Sequence, residues 1–282
     1  MSNKKHYVIV STNEIDTYIE FVPSCYQIWK KNLDCIYVLG VVTDKDINHP
    51  LIKRLNNFCD ELHIFKPLEG VHTGIQAKTI RMWMASLYSD NVCTLTDIDQ
   101  YLFDFNWLMN NIKPAFDGDK FVGLGQNAYF NGPDDGKIPM YYITAKSYIF
   151  KKIINEYNYD NFNDWFNQFR IIKNPIDNKE QIGKDFNNFS DESLMRYLIV
   201  RHSDQVYINK VLLKIQRFDF NGRYFGLRLD RSFWPNNFDE NILKNIKLID
   251  CNPLRPFNKN YNKLLPIFKW LNLDLSEDKI KL

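Results

Sequence analysis

Val92-Cys93-Thr94-Leu95-Thr96-Asp97-Ile98-Asp99 joins two signals in one stretch. Val92 to Thr96 is a short, β-rich apolar run of the kind that fills a buried strand. The last three residues put an apolar side chain between two acids at the end of that run. Strand side chains alternate, so the spacing predicts Asp97 and Asp99 on one face and Ile98 turned into the core. Two other D-x-D triplets, Asp44/Asp46 and Asp117/Asp119, lack this setting. Asp117-Gly118-Asp119 reads as a turn, and Lys45 stands between the other pair. Asp97-Ile98-Asp99 follows a buried run and leads into Tyr101-Leu102-Phe103.

Toward the N-terminus the same run becomes one strand of a series. Tyr7 to Ser11, Cys35 to Thr43 and Leu62 to Phe65 read as buried strands. Between them Asp16 to Lys31 (despite Pro23), Leu51 to Phe58 and Gly74 to Tyr88 carry helix-like patterns. Strands separated by helices predict an α/β fold with a mixed, mostly parallel central sheet flanked by helices. After Asp99 the pattern changes. Phe121 to Gly125, Ala128 to Phe130, Met140 to Thr144 and Lys247 to Cys251 read as short strands. Ser147 to Tyr157, Asp191 to Arg201 and Tyr261 to Leu271 read as helices, and 170 to 190 as a polar loop. Neither a repeat nor a long linker divides the 282 residues, so one domain is expected, with 1–103 as a nucleotide-binding half and 104–282 as an acceptor half.

Composition narrows the classes. Lys and Arg number 36 against 34 Asp and Glu, which leaves no electrostatic footprint for nucleic acid. No apolar run approaches the ~20 residues of a membrane span. The polar start, Met1 to Tyr7, precedes an apolar stretch too short for a signal-peptide core. The cysteines, Cys25, Cys35, Cys59, Cys93 and Cys251, are odd in number and form no C-x-x-C, so reduced thiols in a cytoplasmic compartment are expected. No complete G-x-G-x-x-G or Walker loop supports a kinase or dinucleotide reading.

Ligands of open α/β sheets bind at the carboxyl ends of the strands. Two carboxylates aimed together there repel at neutral pH, and a divalent cation removes the conflict. Mg²⁺ and Mn²⁺ take oxygen ligands, often one or two carboxylates plus phosphate oxygens. The plain alternative is a pair of solvated turn aspartates capping a helix at Phe105.

The strand followed by Thr96-Asp97-Ile98-Asp99 and an aromatic-apolar run resembles the metal motif of GT-A glycosyltransferases. The likeness is to the short enzymes of this kind encoded by large DNA viruses, which would place the chain in a host cytoplasm. The resemblance implies a GT-A, Rossmann-like fold and Mn²⁺ or Mg²⁺ as cofactor. It implies transfer of a sugar from a UDP- or GDP-sugar to a hydroxyl of a glycan or glycoprotein acceptor. Ser11, Thr12 and Asn13 match the positions that meet the nucleotide, and Gln76, Lys78 and Arg81 those that steer the donor. Ser190-Asp191-Glu192 resembles the acidic pair that opens a helix beside the acceptor. Ile249 to Pro256 resembles the late strand that brings a His to the metal. Here that strand offers Asn252 or Asp250 instead, so the implied ligand set is Asp97, Asp99 and Asn252, with Arg255 near the diphosphate.

Read as residues, Asp191 and Glu192 either cap a helix or supply a base for a sugar hydroxyl, Asp191 first and Glu192 next. Asn127, Tyr129, Tyr141 and Tyr142 either pack their strands with the tyrosines at the surface or bind the acceptor, since aromatic faces and amides suit sugar rings. Two other classes compete. A sugar-phosphate nucleotidyltransferase would follow its first strand with a Gly-rich basic loop, where this chain has Ser11-Thr12-Asn13-Glu14. A non-catalytic relative would bind sugar or a partner without turnover.

Overall fold

His6–Asn13 forms β1, and its neighbours cover both of its faces and edges. β2 (Ile36–Val42) pairs with it in parallel on one side and β4 (Val92–Leu95) on the other, while β3 (Glu61–Phe65) pairs in parallel with β2. Val8 and Val10 enter one core cluster and Tyr7 and Ile9 the other; Leu39 and Val41 of β2 part from Val38 and Val42 in the same way. Burial on both faces is why these strands read as continuous apolar runs instead of alternating ones. The computed structural model describes residues 4–125, 138–171, 191–201, 207, 210, 212–215, 228–234, 238, 243–244 and 248–273.

The remaining strands are β5 (Tyr101–Leu102), β6 (Phe121–Leu124), β7 (Ile143–Lys146), β8 (Leu212–Ile215), β9 (Arg228–Leu229) and β10 (Asp250–Cys251). Seven strands make one sheet in the order β3-β2-β1-β4-β7-β6-β8. β7 is antiparallel to both β4 and β6, and β6 and β8 are parallel, so β7 is the reversed strand of this sheet. The expected mixed, mostly parallel sheet flanked by helices is what forms. A smaller sheet, β5-β10-β9, stands apart from it.

The helices are α1 (Asp16–Ile19), α2 (Val22–Asn32), α3 (Pro50–Leu55), α4 (Thr73–Met84), α5 (Phe105–Asp117), α6 (Ser147–Ile154), α7 (Phe162–Asn167), α8 (Asp191–Arg201) and α9 (Phe257–Trp270). The single helix expected over Asp16 to Lys31 is two, with Pro23 in the first turn of α2, where its missing N–H is not needed. α4 lies so close on β2 that a Cβ at Gly40 would meet Met84 Sδ at 2.7 Å. Expected strand Met140 to Thr144 begins three residues later, at Ile143. Tyr142 has φ +54°, a left-handed conformation that stops an extended run. Ala128 to Phe130 and most of the expected polar loop lie outside the described residues. Among the described residues no helix is long and apolar enough to cross a membrane.

Candidate functional site

From β1 the chain runs outward through β2 to β3, then returns to the other side of β1 as β4. The strand order therefore reverses between β1 and β4, and a crevice outside their carboxyl ends is the expected ligand position of an open α/β sheet. A cavity of about 350 Å³ lies there. Ser11, Thr12 and Asn13 from the end of β1 line it, with Lys78 and Arg81 from α4. Opposite them stand Asp97 and Asp99 after β4, Asp191 and Glu192 from the start of α8, and Arg255 after β10.

The two acids after β4 do not continue the strand. β4 ends at Leu95, and Gln100 N–H donates to Asp97 O at 3.2 Å, closing a turn. Strand alternation thus does not set their directions, although Ile98 is buried in the core as expected. The capping alternative also fails: Asp104, not Asp97 or Asp99, caps α5 by accepting from Trp107 N–H at 2.8 Å.

Guanidinium groups hold these acids. Arg81 is 3% exposed, and its Nη1 donates to Asp97 Oδ1 at 2.5 Å and to Thr96 O at 2.8 Å. Its Nη2 donates to Asp191 Oδ2 at 2.6 Å. Asp99 accepts at Oδ2 from Arg255 Nε and from Arg231 Nη1, the latter at 2.9 Å, with Arg255 Nη2 also in contact. Arg255 in turn donates to Tyr18 OH at 2.7 Å.

Burial drives the carboxyl groups up, and their partners decide the outcome. For Asp97 the Arg81 guanidinium outweighs burial and holds the carboxyl below its usual value. For Asp99 burial, joined by the negative charge of Asp97, prevails over the pull of Arg255 and raises it. Two facing acids are thereby driven apart. Glu192 is pushed up to about 7 by burial and by Asp97, against weaker opposition from Arg81 and Lys78. Burial alone would lower Arg81, but Asp97 and Asp191 raise it.

Several expected residues sit elsewhere. Gln76 is fully buried and not in the cavity: its Oε1 accepts from Leu68 N–H and its Nε2 donates to Lys66 O, tying down the loop before α4. Tyr141 and Tyr142 are buried in the core, Tyr141 under Arg228, instead of presenting faces to a sugar. Asn252 is not part of the cavity wall. Its N–H donates to Leu229 O and its Nδ2 to Asp230 Oδ2 at 3.4 Å. Asp250 is wholly buried and accepts from Gln100 Nε2 at 2.6 Å. Asn127 and Tyr129 lie outside the described residues, as does Ser190.

Other cavity residues went unread in the sequence. Tyr18 and Met140 gave no motif signal. Arg231, which is not in the cavity wall but contacts Asp99 in it, lies far from every motif. His72 also lines the cavity, where its Nδ1 accepts from Gly74 N–H and caps α4.

No family model matches this sequence, and no curated protein matches it. Solved structures do. Galactosyltransferase LgtC, in complex with donor and acceptor sugar analogues, is 10% identical, with 97% of this chain and 99% of that one covered and a TM-score of 0.43. A 4-diphosphocytidyl-2C-methyl-D-erythritol synthase is 9% identical, with 76% and 90% covered and a TM-score of 0.38. A mannosyltransferase from Pyrobaculum calidifontis, in complex with GDP-Man and Mn²⁺, is 14% identical over 55% of this chain and 47% of that one, with a TM-score of 0.36. These likenesses are remote, and the roles assigned below rest on this chain's own residues.

Can the site take a divalent metal? Asp97 and Asp99 present carboxylate oxygens to one cavity, the hard donors that Mg²⁺ and Mn²⁺ prefer. Asp97 has a 37% exposed side chain and is the accessible one of the two. Among the described residues no group of three His, Cys, Asp or Glu side chains stands ready to hold an ion. Two carboxylates fit a cation only where its other positions go to phosphate oxygens and water, as Mg²⁺ sites often arrange.

Proposed function

We propose that this protein is a divalent-metal-dependent glycosyltransferase that moves a sugar from a nucleotide-diphosphate sugar to an acceptor hydroxyl. The observation that carries the reading is the turn Asp97-Ile98-Asp99, set at the strand-order reversal in a cavity that also holds Lys78, Arg81, Arg255, Asp191 and Glu192. Such a wall suits a diphosphate at one end and a polyhydroxyl ring beside it.

The end of β1, Ser11 to Asn13, would take the nucleoside. Asp97 and Asp99 would hold the metal, with Lys78 and Arg255 on the diphosphate. A bound divalent cation supplies neutralisation of the charge that grows on the leaving diphosphate. In an inverting transfer a carboxylate takes the acceptor's proton while its oxygen attacks C1 and the C1–diphosphate bond breaks. Asp191 is tied to Arg81 and buried, which ill suits a base. Glu192, held near 7, matches the Brønsted optimum for proton transfer at neutral pH and takes precedence over Asp191 for that role.

A thermal-shift panel of UDP- and GDP-sugars with and without Mn²⁺ tests the reading. The true donor should raise Tm only with metal, because stabilisation follows mass action. Asp99→Ala should remove that shift yet leave a folded protein, since its partners Arg231 and Arg255 are part-exposed and can be hydrated. A donor shift that ignores both Mn²⁺ and Asp99→Ala would defeat the metal assignment. Release of pyrophosphate from a nucleoside triphosphate and sugar phosphate, with no nucleoside diphosphate formed from any sugar donor, would favour the nucleotidyltransferase instead.

A further inference from the structure

The small sheet ends where the metal turn begins. β5 starts at Tyr101, two residues after Asp99, and pairs with β10 so that Tyr101 faces Cys251. β9 runs parallel to β10 with Leu229 beside Cys251. Antiparallel pairing thus brings the start of β5 and the ends of β9 and β10 to one edge. Arg231 follows β9 by two residues and Arg255 follows β10 by four, and both reach Asp99 Oδ2 from that edge. Asp230 fixes the turn that carries Arg231 by accepting from Ser232 N–H at 2.9 Å.

Charge among the directly paired groups of this turn is balanced before anything binds. Three carboxylates, Asp97, Asp99 and Asp191, meet three guanidiniums, Arg81, Arg231 and Arg255. A divalent cation placed on Asp97 and Asp99 would leave its two positive charges uncompensated beside Arg231 and Arg255, at distances where like charges repel strongly. A diphosphate with a negative charge on each phosphoryl group restores the balance. It also gives both arginines a new partner of the geometry that guanidinium groups favour.

We propose that Arg231 is a second diphosphate-binding arginine and that, with Arg255, it couples metal to nucleotide: Asp99 becomes fully available to the cation only as the diphosphate takes the guanidiniums. The inference rests on the donor reading above and adds a residue and an order to it. Arg231 belongs to this role by its position, since its side chain is 25% exposed beside an Asp99 that is 4% exposed.

Calorimetric titration decides it. Mn²⁺ alone, then UDP and GDP with and without Mn²⁺, are titrated into wild-type protein, Arg231→Gln and Arg231→Lys, with far-UV circular dichroism as the check on folding. Wild type should bind at least one of the two nucleotides about tenfold or more tightly with Mn²⁺ than without it. Arg231→Gln should bind Mn²⁺ alone more tightly, because a cation is removed from Asp99, and should bind the nucleotide more weakly, so the coupling shrinks several-fold. Arg231→Lys should keep most of the coupling. Nucleotide and Mn²⁺ that both bind wild type independently, or a coupling unmoved by Arg231→Gln, would overturn the role of Arg231 while leaving the donor reading intact. If neither nucleotide binds under any condition, both fall together.

Discussion

The seven-stranded sheet and the three-stranded sheet serve the same cavity by different means. In the large sheet β1, β2, β3 and β4 follow one another with helices between them, β7, β6 and β8 extend it, and Ser11 to Asn13 reach the cavity from the end of β1. Its strength is apolar, with buried Val, Ile, Leu and Tyr on both faces. The small sheet gathers two-residue strands from distant parts of the chain, β5, β9 and β10. Its Tyr101, Leu102, Leu229 and Cys251 are buried in the apolar core, and a polar network is added to that packing. Gln100 Nε2 donates to Asp250 Oδ2, and Arg228 Nη2 donates to Gln100 Oε1 at 2.8 Å. Strand pairs this short carry few ladder hydrogen bonds, and the buried polar network adds fixed geometry to them. The first sheet makes the pocket, and the second aims its arginines.

Breaking each side should have a different signature. The largest loss is expected from Arg81→Met on the large-sheet side, which leaves Asp97 and Asp191 without their shared partner. Removing one member of a buried ion pair costs about 3–5 kcal/mol, readable by denaturant unfolding. A change within 0.5 kcal/mol would show that the paired acids are hydrated and the cavity open. On the small-sheet side, Asp250→Asn keeps the shape but removes the charge that Gln100 and Arg228 face. A hydrogen bond to a charged group is worth about 1.5–3 kcal/mol, so the expected loss is smaller. Its effect on binding should exceed its effect on Tm, with nucleotide affinity falling as Arg231 and Arg255 lose their aim. Nucleotide affinity that tracks stability alone would erase the distinction between the two sheets.

The subtlest effect is a pH dependence at Glu192. Its carboxyl in the folded protein is raised to about 7, above the usual value of 4.5. A base must be ionised, so transfer should rise with pH through about 7, and Glu192→Gln should abolish that rise along with most of the rate. Stability carries the opposite sign. The folded state holds the proton more tightly, so this group's contribution is full below 4.5 and is lost as pH climbs through about 7. Glu192→Gln should therefore gain Tm over wild type progressively across that window. A constant difference in Tm would mean that Glu192 titrates alike in folded and unfolded chains.

The large sheet was legible because its signals are local. Buried parallel strands leave continuous apolar runs, and the crevice of an α/β sheet lies at strand ends, which singled out Asp97 and Asp99. Ser11 to Asn13, Lys78, Arg81, Asp191, Glu192 and Arg255 joined them through the resemblance to GT-A enzymes, and all line one cavity. Errors came where polarity was taken for exposure. Gln76 and Asp250 are polar yet fully buried, because each found partners that pattern cannot display. Of the two readings of Tyr141 and Tyr142, acceptor binding gives way to packing, inside the core and not at the surface: Tyr142 turns inward at a positive φ and Tyr141 lies beneath Arg228. Arg231 carried no signal at all, since its partner Asp99 is 132 residues away.

The amino-acid order by itself determined the alternating strands and helices and the placing of paired acids just after the buried run Val92 to Thr96; the strand order that puts a crevice there is a tertiary property. Periodic burial is a local property, written within a few residues of every strand and helix. Only the tertiary structure decided what those acids meet. Pairing Asp97 with Arg81 and Asp99 with Arg231 and Arg255 depends on chain crossings of 16, 132 and 156 residues, and charges brought together over such spans obey distance in space, not position in sequence.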